Sequence, residues 1–262
     1  MDVRRGKKVL LKGHKLRAQD MGLLAMLGVA NVSVVRRPRV AILSSGDELV
    51  DLHESMGPGK LRDSNSYTLR ALVADAGCEV LPLGIAPDRV DAIHALLEKA
   101  VGMQADLVVS SAGVSVGALD LLRGVVEANG RLEFWRVAVR PGKPLAVGRY
   151  RHVPFIGLPG NPVSAFIGFE IFVRPALARL AGRSLVDRRH VAATLSEAVQ
   201  SDGRETYLRV ILEEQAGAMY AKLAGNQGSG NLVSLVQANA LLMVPAGVKS
   251  LAVGDRADAW LL

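Results

Sequence analysis

From Arg39 onward, short aliphatic runs alternate with amphipathic ones. Residues 40–43, 80–85, 107–110, 132–139, 145–148 and 153–156 are apolar stretches of strand length. Residues 64–76, 88–101, 119–128 and 165–180 repeat apolar positions at helical spacing. Asp63 or Ser64 caps the first of these helices, and Gly77 stops it. Buried-type strands separated by helices predict a three-layer α/β domain, a parallel sheet covered on both faces. After Arg183 the alternation ends. β-type runs at 191–199, 207–213, 219–223 and 241–244, with turns at Asp202-Gly203, Gly225-Asn226 and Pro245-Ala246-Gly247, predict a small all-β barrel or sandwich. Ahead of residue 38, the pattern predicts a strand at 9–11, a helix at 18–27 ended by Gly28, and a strand at 31–35. These pieces are too small to bury a core and are expected to dock on the main body or on a partner. The expected division is 1–37, 38–184 (α/β) and 185–262 (β).

Composition narrows the chemistry. Half the residues are hydrophobic but only 4% are aromatic. The core is therefore aliphatic, and a base-stacking platform for single-stranded nucleic acid is disfavoured. One cysteine, Cys78, excludes an intrachain disulfide and a cysteine zinc site, and fits a reducing, cytoplasmic setting. No apolar run approaches the roughly 20 residues of a membrane helix. The formal charge of +7 is local: residues 1–40 carry ten Lys or Arg against Asp2 and Asp20, leaving −1 for the remainder. Those cations are interleaved with Val9, Leu10, Leu11, Leu16 and Leu23, which reads as structured surface rather than a nucleic-acid arm. His14, His53, His94, His152 and His190 fall in no metal-ligand or catalytic frame and read as surface or structural.

The unusual loops follow strands. They are Ser44-Ser45-Gly46-Asp47-Glu48-Leu49, Ala86-Pro87-Asp88, residues 111–120, Arg140-Pro141-Gly142-Lys143-Pro144, and Gly157-Leu158-Pro159-Gly160-Asn161-Pro162-Val163-Ser164. Strand ends of a parallel sheet share an edge where ligands bind, so one rim is expected to gather them. In the last loop, two glycines and two prolines within six residues fix a junction that aims backbone N–H groups at an anion. Arg140 and Lys143 add positive charge, and Asp47, Glu48, Asp88 and Asp120 offer the hard oxygens Mg²⁺ takes. This is a phosphate-plus-metal pattern, suited to a nucleotide or a phosphorylated cofactor. The same residue types also serve as ordinary caps (Asp47, Asp88, Asp120) or as a solvated lysine (Lys143). No Walker A, Ser-His-Asp or HExxH arrangement is present.

Taken in order, the loops resemble those of the molybdopterin molybdenumtransferase family, the group of MoeA and the gephyrin E domain. Ser45-Gly46-Asp47-Glu48-Leu49 is similar to its TGDEL and Asp63-Ser64-Asn65 to its DSN. Gly113-Val114-Ser115-Val116-Gly117 with Asp120 resembles GGVSVG…D, Pro141-Gly142-Lys143-Pro144 is PGKP, and 157–164 is GLPGNPVS. Gly203-Arg204, Gln227-Gly228-Ser229 and Ala238-Asn239 resemble landmarks of the family's C-terminal β-domain. The resemblance implies insertion of molybdate into adenylylated molybdopterin with release of AMP, dependence on Mg²⁺, and a homodimer. By the same resemblance Glu48, Asp88 and Asp120 are the catalytic or Mg²⁺-binding acids, and Lys143 is catalytic with them. Gly46, Asp47, Asp63, Ser64, Gly113, Ser115 and Gly117 lie on the pterin and phosphate side. Arg140, Lys143, Pro144 and Ser164 line the molybdate pocket, joined by Arg204 and Ser229, and Gly160 and Asn161 are cofactor-binding.

Some positions depart from the pattern. Ala112 replaces a loop glycine, which matters if that position needs a positive φ. Arg140 replaces a lysine, keeping charge but changing donor geometry. The resemblance also implies a further ~140 residues before this sequence, one domain's worth, so that residues 1–37 are the remnant of a missing part. Three functions stay open: the transferase, a sister adenylyltransferase that lacks the β-domain, and a pterin-binding module without turnover.

Overall fold

The computed structural model describes residues 3–4, 6–112, 118–183 and 188–262, with the backbone alone at 118 and 119. Helix α1 (Ala18–Met26) forms as its spacing predicts, with Gly28 at φ +71° just beyond it. The strands expected at 9–11 and 31–35 do not form. A strand needs a neighbour's backbone groups, and these runs lie at the surface, with Leu11, Val34 and Val35 more than half exposed.

Strand β1 (Arg39–Ser45) leads into a short ribbon, β2 (Leu49–Val50) with β3 (Leu61–Arg62), and then α2 (Ser64–Asp75). Next come β4 (Glu79–Ala86), α3 (Val90–Gly102), β5 (Leu107–Ala112), α4 (Ala118–Asn129), β6 (Gly130–Arg136), β7 (Val139–Arg140), β8 (Pro144–Tyr150) and β9 (Val153–Leu158). The sheet order is β4-β1-β5-β9-β8-β6. It is parallel from β4 to β9 but antiparallel at β9–β8 and β8–β6. That half departs from the all-parallel expectation because no helix separates these strands; a short turn permits only antiparallel return. One face carries α2 and the helical segment 162–180 on Val40, Ile42, Leu107 and Val109. The other carries α3 and α4 on Ala41, Leu43 and Val108, the alternation a pleated strand imposes.

The helix predicted at 165–180 is α5 (Pro162–Gly168), a π-helical turn at Phe169–Val173, and α6 (Arg174–Leu180). Pro175 explains the interruption, since its ring opposes the ordinary helical bond to the preceding turn. Beyond it, β10 (His190–Leu195), β11 (Val199–Gln200), β12 (Glu205–Gln215), β13 (Ala218–Leu223), α7 (Leu232–Gln237), β14 (Ala240–Val244), β15 (Ser250–Leu251) and β16 (Arg256–Leu261) follow. Pairing of β12 with β13 closes the ring β12-β13-β10-β16-β14 into a barrel around Leu195, Leu208, Val210 and Leu242. The last strand was hidden in the sequence because Arg256-Ala257-Asp258-Ala259 lacks an aliphatic run.

The barrel is fastened to the α/β layer. The apolar stretch at 132–139 divides into β6 and β7, and β7 joins the barrel sheet, pairing Val139 with Glu205 and Arg140 with Thr206. Val139, Val163, Ile167, Tyr207, Leu235 and Leu241 form a shared core between the two. Among the described residues no helix is long and apolar enough to cross a membrane.

Candidate functional site

The carboxyl ends of β4, β1, β5 and β9 lie side by side, as the parallel order requires. The Arg140–Pro144 loop reaches the same rim by a different route. It precedes β8, and because β8 runs antiparallel to β9, the start of β8 stands beside the end of β9. A Cβ built on Gly142 would sit 3.7 Å from the Ser164 carbonyl oxygen, so this loop abuts the 157–164 turn.

Acids occupy the β4–β1 side. The Gly46 N–H donates to the Ala86 carbonyl (3.1 Å), and the Asp88 N–H donates to Asp47 Oδ1 (3.0 Å). Asp47 therefore staples the two loops together, while its own carbonyl accepts from Lys60 Nζ (2.5 Å). Asp88 Oδ1 is buried with no hydrogen-bond partner among the described residues. Burial pushes the Asp88 carboxyl upward; the Asp47 backbone offsets part of this, and the charges of Asp47 and Glu48 add to it. A divalent cation would relieve that arrangement, so Asp88 and Glu48 fit the chemistry of Mg²⁺. Among the described residues no three His, Cys, Asp or Glu already converge as a metal cage. Asp120 lies exposed in the first turn of α4.

On the β9 side, the buried Asn65 Nδ2 donates to both Ser111 Oγ and the Gly160 carbonyl, each at 2.7 Å. It ties α2, the end of β5 and the 157–164 turn into one unit. From the barrel, the Ser229 carbonyl accepts from the Val163 N–H (3.1 Å), and Arg204 Nη1 donates to the Val139 carbonyl (3.1 Å). Arg140, Lys143, Pro144 and Asn161 are exposed, whereas Ser164 is buried. Asp63 caps α2, its Oδ1 accepting from the Ser66 N–H (3.0 Å); Ser64 is half-buried beside it. Gly113, Ser115 and Gly117 lie outside the described residues. Ala112 ends β5 in register with Ser45 and is not in the left-handed region, so it carries no φ strain.

Sequence reasoning passed over Asn65 and Arg209 as site residues. Asn65 was visible within the DSN motif, but a side chain bridging two elements has no periodic signature. Arg209 left a fainter trace, a lone cation inside the apolar run Tyr207-Leu208-Arg209-Val210-Ile211.

Residues 41–179 match the family described as "probable molybdopterin binding domain", and residues 192–262 match the "MoeA C-terminal region (domain IV)". The molybdopterin molybdenumtransferase of Haemophilus influenzae is 37% identical over 97% of this chain and 63% of its own length. Molybdopterin molybdenumtransferase 2 of Mycobacterium tuberculosis is also 37% identical, over 99% of this chain and 65% of its own. The crystal structure of the molybdopterin biosynthesis moeA protein of Pyrococcus horikoshii superposes with a TM-score of 0.83 at 30% identity, covering 100% of this chain and 63% of that one. The chain thus spans less than two thirds of the length of these relatives. By the family match over 41–179 and the 37% identity to curated relatives over nearly all of its length, the chain belongs to the molybdopterin molybdenumtransferase family.

Proposed function

We propose that this chain carries the main site of a transferase of molybdenum cofactor biosynthesis, which inserts molybdate at the dithiolene sulfurs of adenylylated molybdopterin and releases AMP. The observation that carries the reading is the 157–164 turn, held from α2 by Asn65 and from the barrel by Ser229, with the Arg140–Pro144 loop against it. Fixed backbone donors beside cationic side chains suit a tetrahedral oxyanion, because they need no reorganisation when charge arrives. In this reading Arg140, Lys143, Pro144, Gly160, Asn161 and Ser164 receive molybdate, and Gly46, Asp47, Asp63, Ser64 and the 113–117 loop receive the pterin and its phosphates. Glu48, Asp88 and Asp120 would hold Mg²⁺, which when bound neutralises phosphate charge on the departing nucleotide. The chain's own part is to orient the two substrates and exclude water. Full-length members working as homodimers in the cytoplasm complete the proposal.

The barrel speaks against the adenylyltransferase alternative, which lacks that domain. A pterin-binding module without turnover is the remaining alternative. The test is AMP release from adenylylated molybdopterin with Mg²⁺. Release that needs molybdate and disappears in Asp120→Asn supports the transferase; tight binding with no release refutes turnover by this chain and supports the module.

A further inference from the structure

Arg209 heads the largest fully buried side chains, with no measurable exposure. It lies on β12 two residues from Tyr207, hence on the barrel face turned to α5 and α7. A guanidinium removed from water ordinarily meets a carboxylate, yet none pairs with Arg209 among the described residues. Its Nε donates to Ser234 Oγ (3.1 Å), and its Nη2 donates to the carbonyls of Asn226 (2.9 Å) and Gly228 (3.0 Å). The backbone grips the same loop: the Arg209 N–H donates to Gln227 Oε1 (2.9 Å), and its carbonyl accepts from Gln227 Nε2 (3.0 Å). Burial draws its pKa down to about 10, so the group remains charged at neutral pH. One residue past Gly228, the Ser229 carbonyl meets the Val163 N–H. A continuous run of bonds therefore leads from the guanidinium, through the 226–229 loop, to the 157–164 turn.

We propose that Arg209 is a positioning residue for the 157–164 turn: the barrel's buried guanidinium fixes the 226–229 loop, and that loop fixes Val163 and the oxyanion-binding turn to which it belongs. The inference rests on the oxyanion reading of that turn given above. Burial for stability alone does not explain an arginine here, since apolar residues in place of buried charges are often neutral or stabilising. An apolar side chain has no donor with which to hold two carbonyls of one loop.

The test is amide hydrogen exchange on the full chain, with a molybdate titration, in wild type, Arg209→Met and Arg209→Lys. Expected for Arg209→Met is exchange of the Val163 amide about tenfold faster, the worth of one ordinary hydrogen bond, with β1 and β4 amides unchanged. Arg209→Lys, which keeps charge without the fork, is expected to fall between, and molybdate affinity to decline in the same order. Wild-type exchange at Val163 in both variants overturns the proposal. So does acceleration spread evenly over the sheet, the mark of a merely weakened fold. If Arg209→Met does not fold, Arg209→Lys decides by the same criteria. A wild-type chain that binds no molybdate while Val163 responds as expected refutes the oxyanion reading and not the positioning of the turn.

Discussion

Glu170 sits in the π-helical turn with its side chain wholly out of solvent. Four N–H groups converge on its carboxylate: Nε and Nη2 of Arg174 at 2.7 and 2.9 Å, and Nε and Nη2 of Arg188, both at 2.8 Å. Arg188 stands just before β10, so this cluster ties the barrel's entry to the α/β layer. Burial pushes the Glu170 carboxyl upward, but Arg188 and Arg174 outweigh it and hold it below the usual range. Glu170→Gln keeps the volume and removes the charge, stranding two guanidinium groups whose side chains are 18% and 23% exposed. Breaking a buried pair costs about 3–5 kcal/mol. Partial exposure, and the contact of Arg174 with Asp75 at 3.1 Å, argue for the low end, about 3 kcal/mol. That corresponds to a fall in melting midpoint on the order of 10 °C for a chain of this size. The assay is urea unfolding of both proteins at pH 7 and under acid conditions. Because the folded carboxyl titrates below its unfolded value, its stabilisation is complete above about pH 4.3 and is lost as pH falls through the lower folded pKa. The two proteins should therefore differ fully at pH 7 and converge in acid. A difference within about 0.5 kcal/mol at pH 7, the range of an ordinary surface substitution, would refute the reasoning.

Asn65→Leu removes both 2.7 Å bonds and leaves the Ser111 hydroxyl and Gly160 carbonyl short of a donor; a loss of about 2 kcal/mol in urea unfolding is expected, with weaker molybdate binding. In Gly46→Ala the new Cβ would stand 2.8 Å from Glu48 Oε2 at a φ of +154°, so Mg²⁺ affinity by calorimetry should fall while the fold survives; unchanged affinity would count against a metal role for Glu48. Asp88 is held above its usual pKa by burial and by Asp47 and Glu48, so in metal-free buffer its ionisation lowers stability as pH rises, and Asp88→Asn should melt no lower than wild type at pH 7. Mg²⁺ competes with the Asp88 proton, so its stabilising effect on wild type should grow with pH and vanish in Asp88→Asn; a pH-independent effect in thermal melts would exclude Asp88 as a ligand.

Much of the architecture was legible because two periodicities are written along the chain. The aliphatic runs that became β1, β5 and β9 are buried on both faces and need no alternation, the edge strand β4 alternates buried and exposed positions, and α2, α3 and α4 carry their stripe openly. Asp63 and Gly77 punctuated α2 as capping chemistry requires. What escaped depended on partners distant in sequence. The runs at 9–11 and 31–35 had strand composition and found no ladder. The apolar stretch at 132–139 was split because β7 pairs with β12, more than sixty residues away.

The candidate site divides in the same way. The sequence by itself determined which loops are unusual, what charges they carry and that a parallel sheet would bring their strand ends to one edge, since those follow from local backbone chemistry and strand direction. Only the tertiary structure decided that the Arg140–Pro144 loop arrives by an antiparallel return, that Asn65 rather than Asp63 bridges to the 157–164 turn, and that a buried arginine in the barrel stands behind it. Those facts are contacts between segments far apart in the chain, and a hydrogen bond across such a distance is fixed by packing, not by any pattern in the residues that make it.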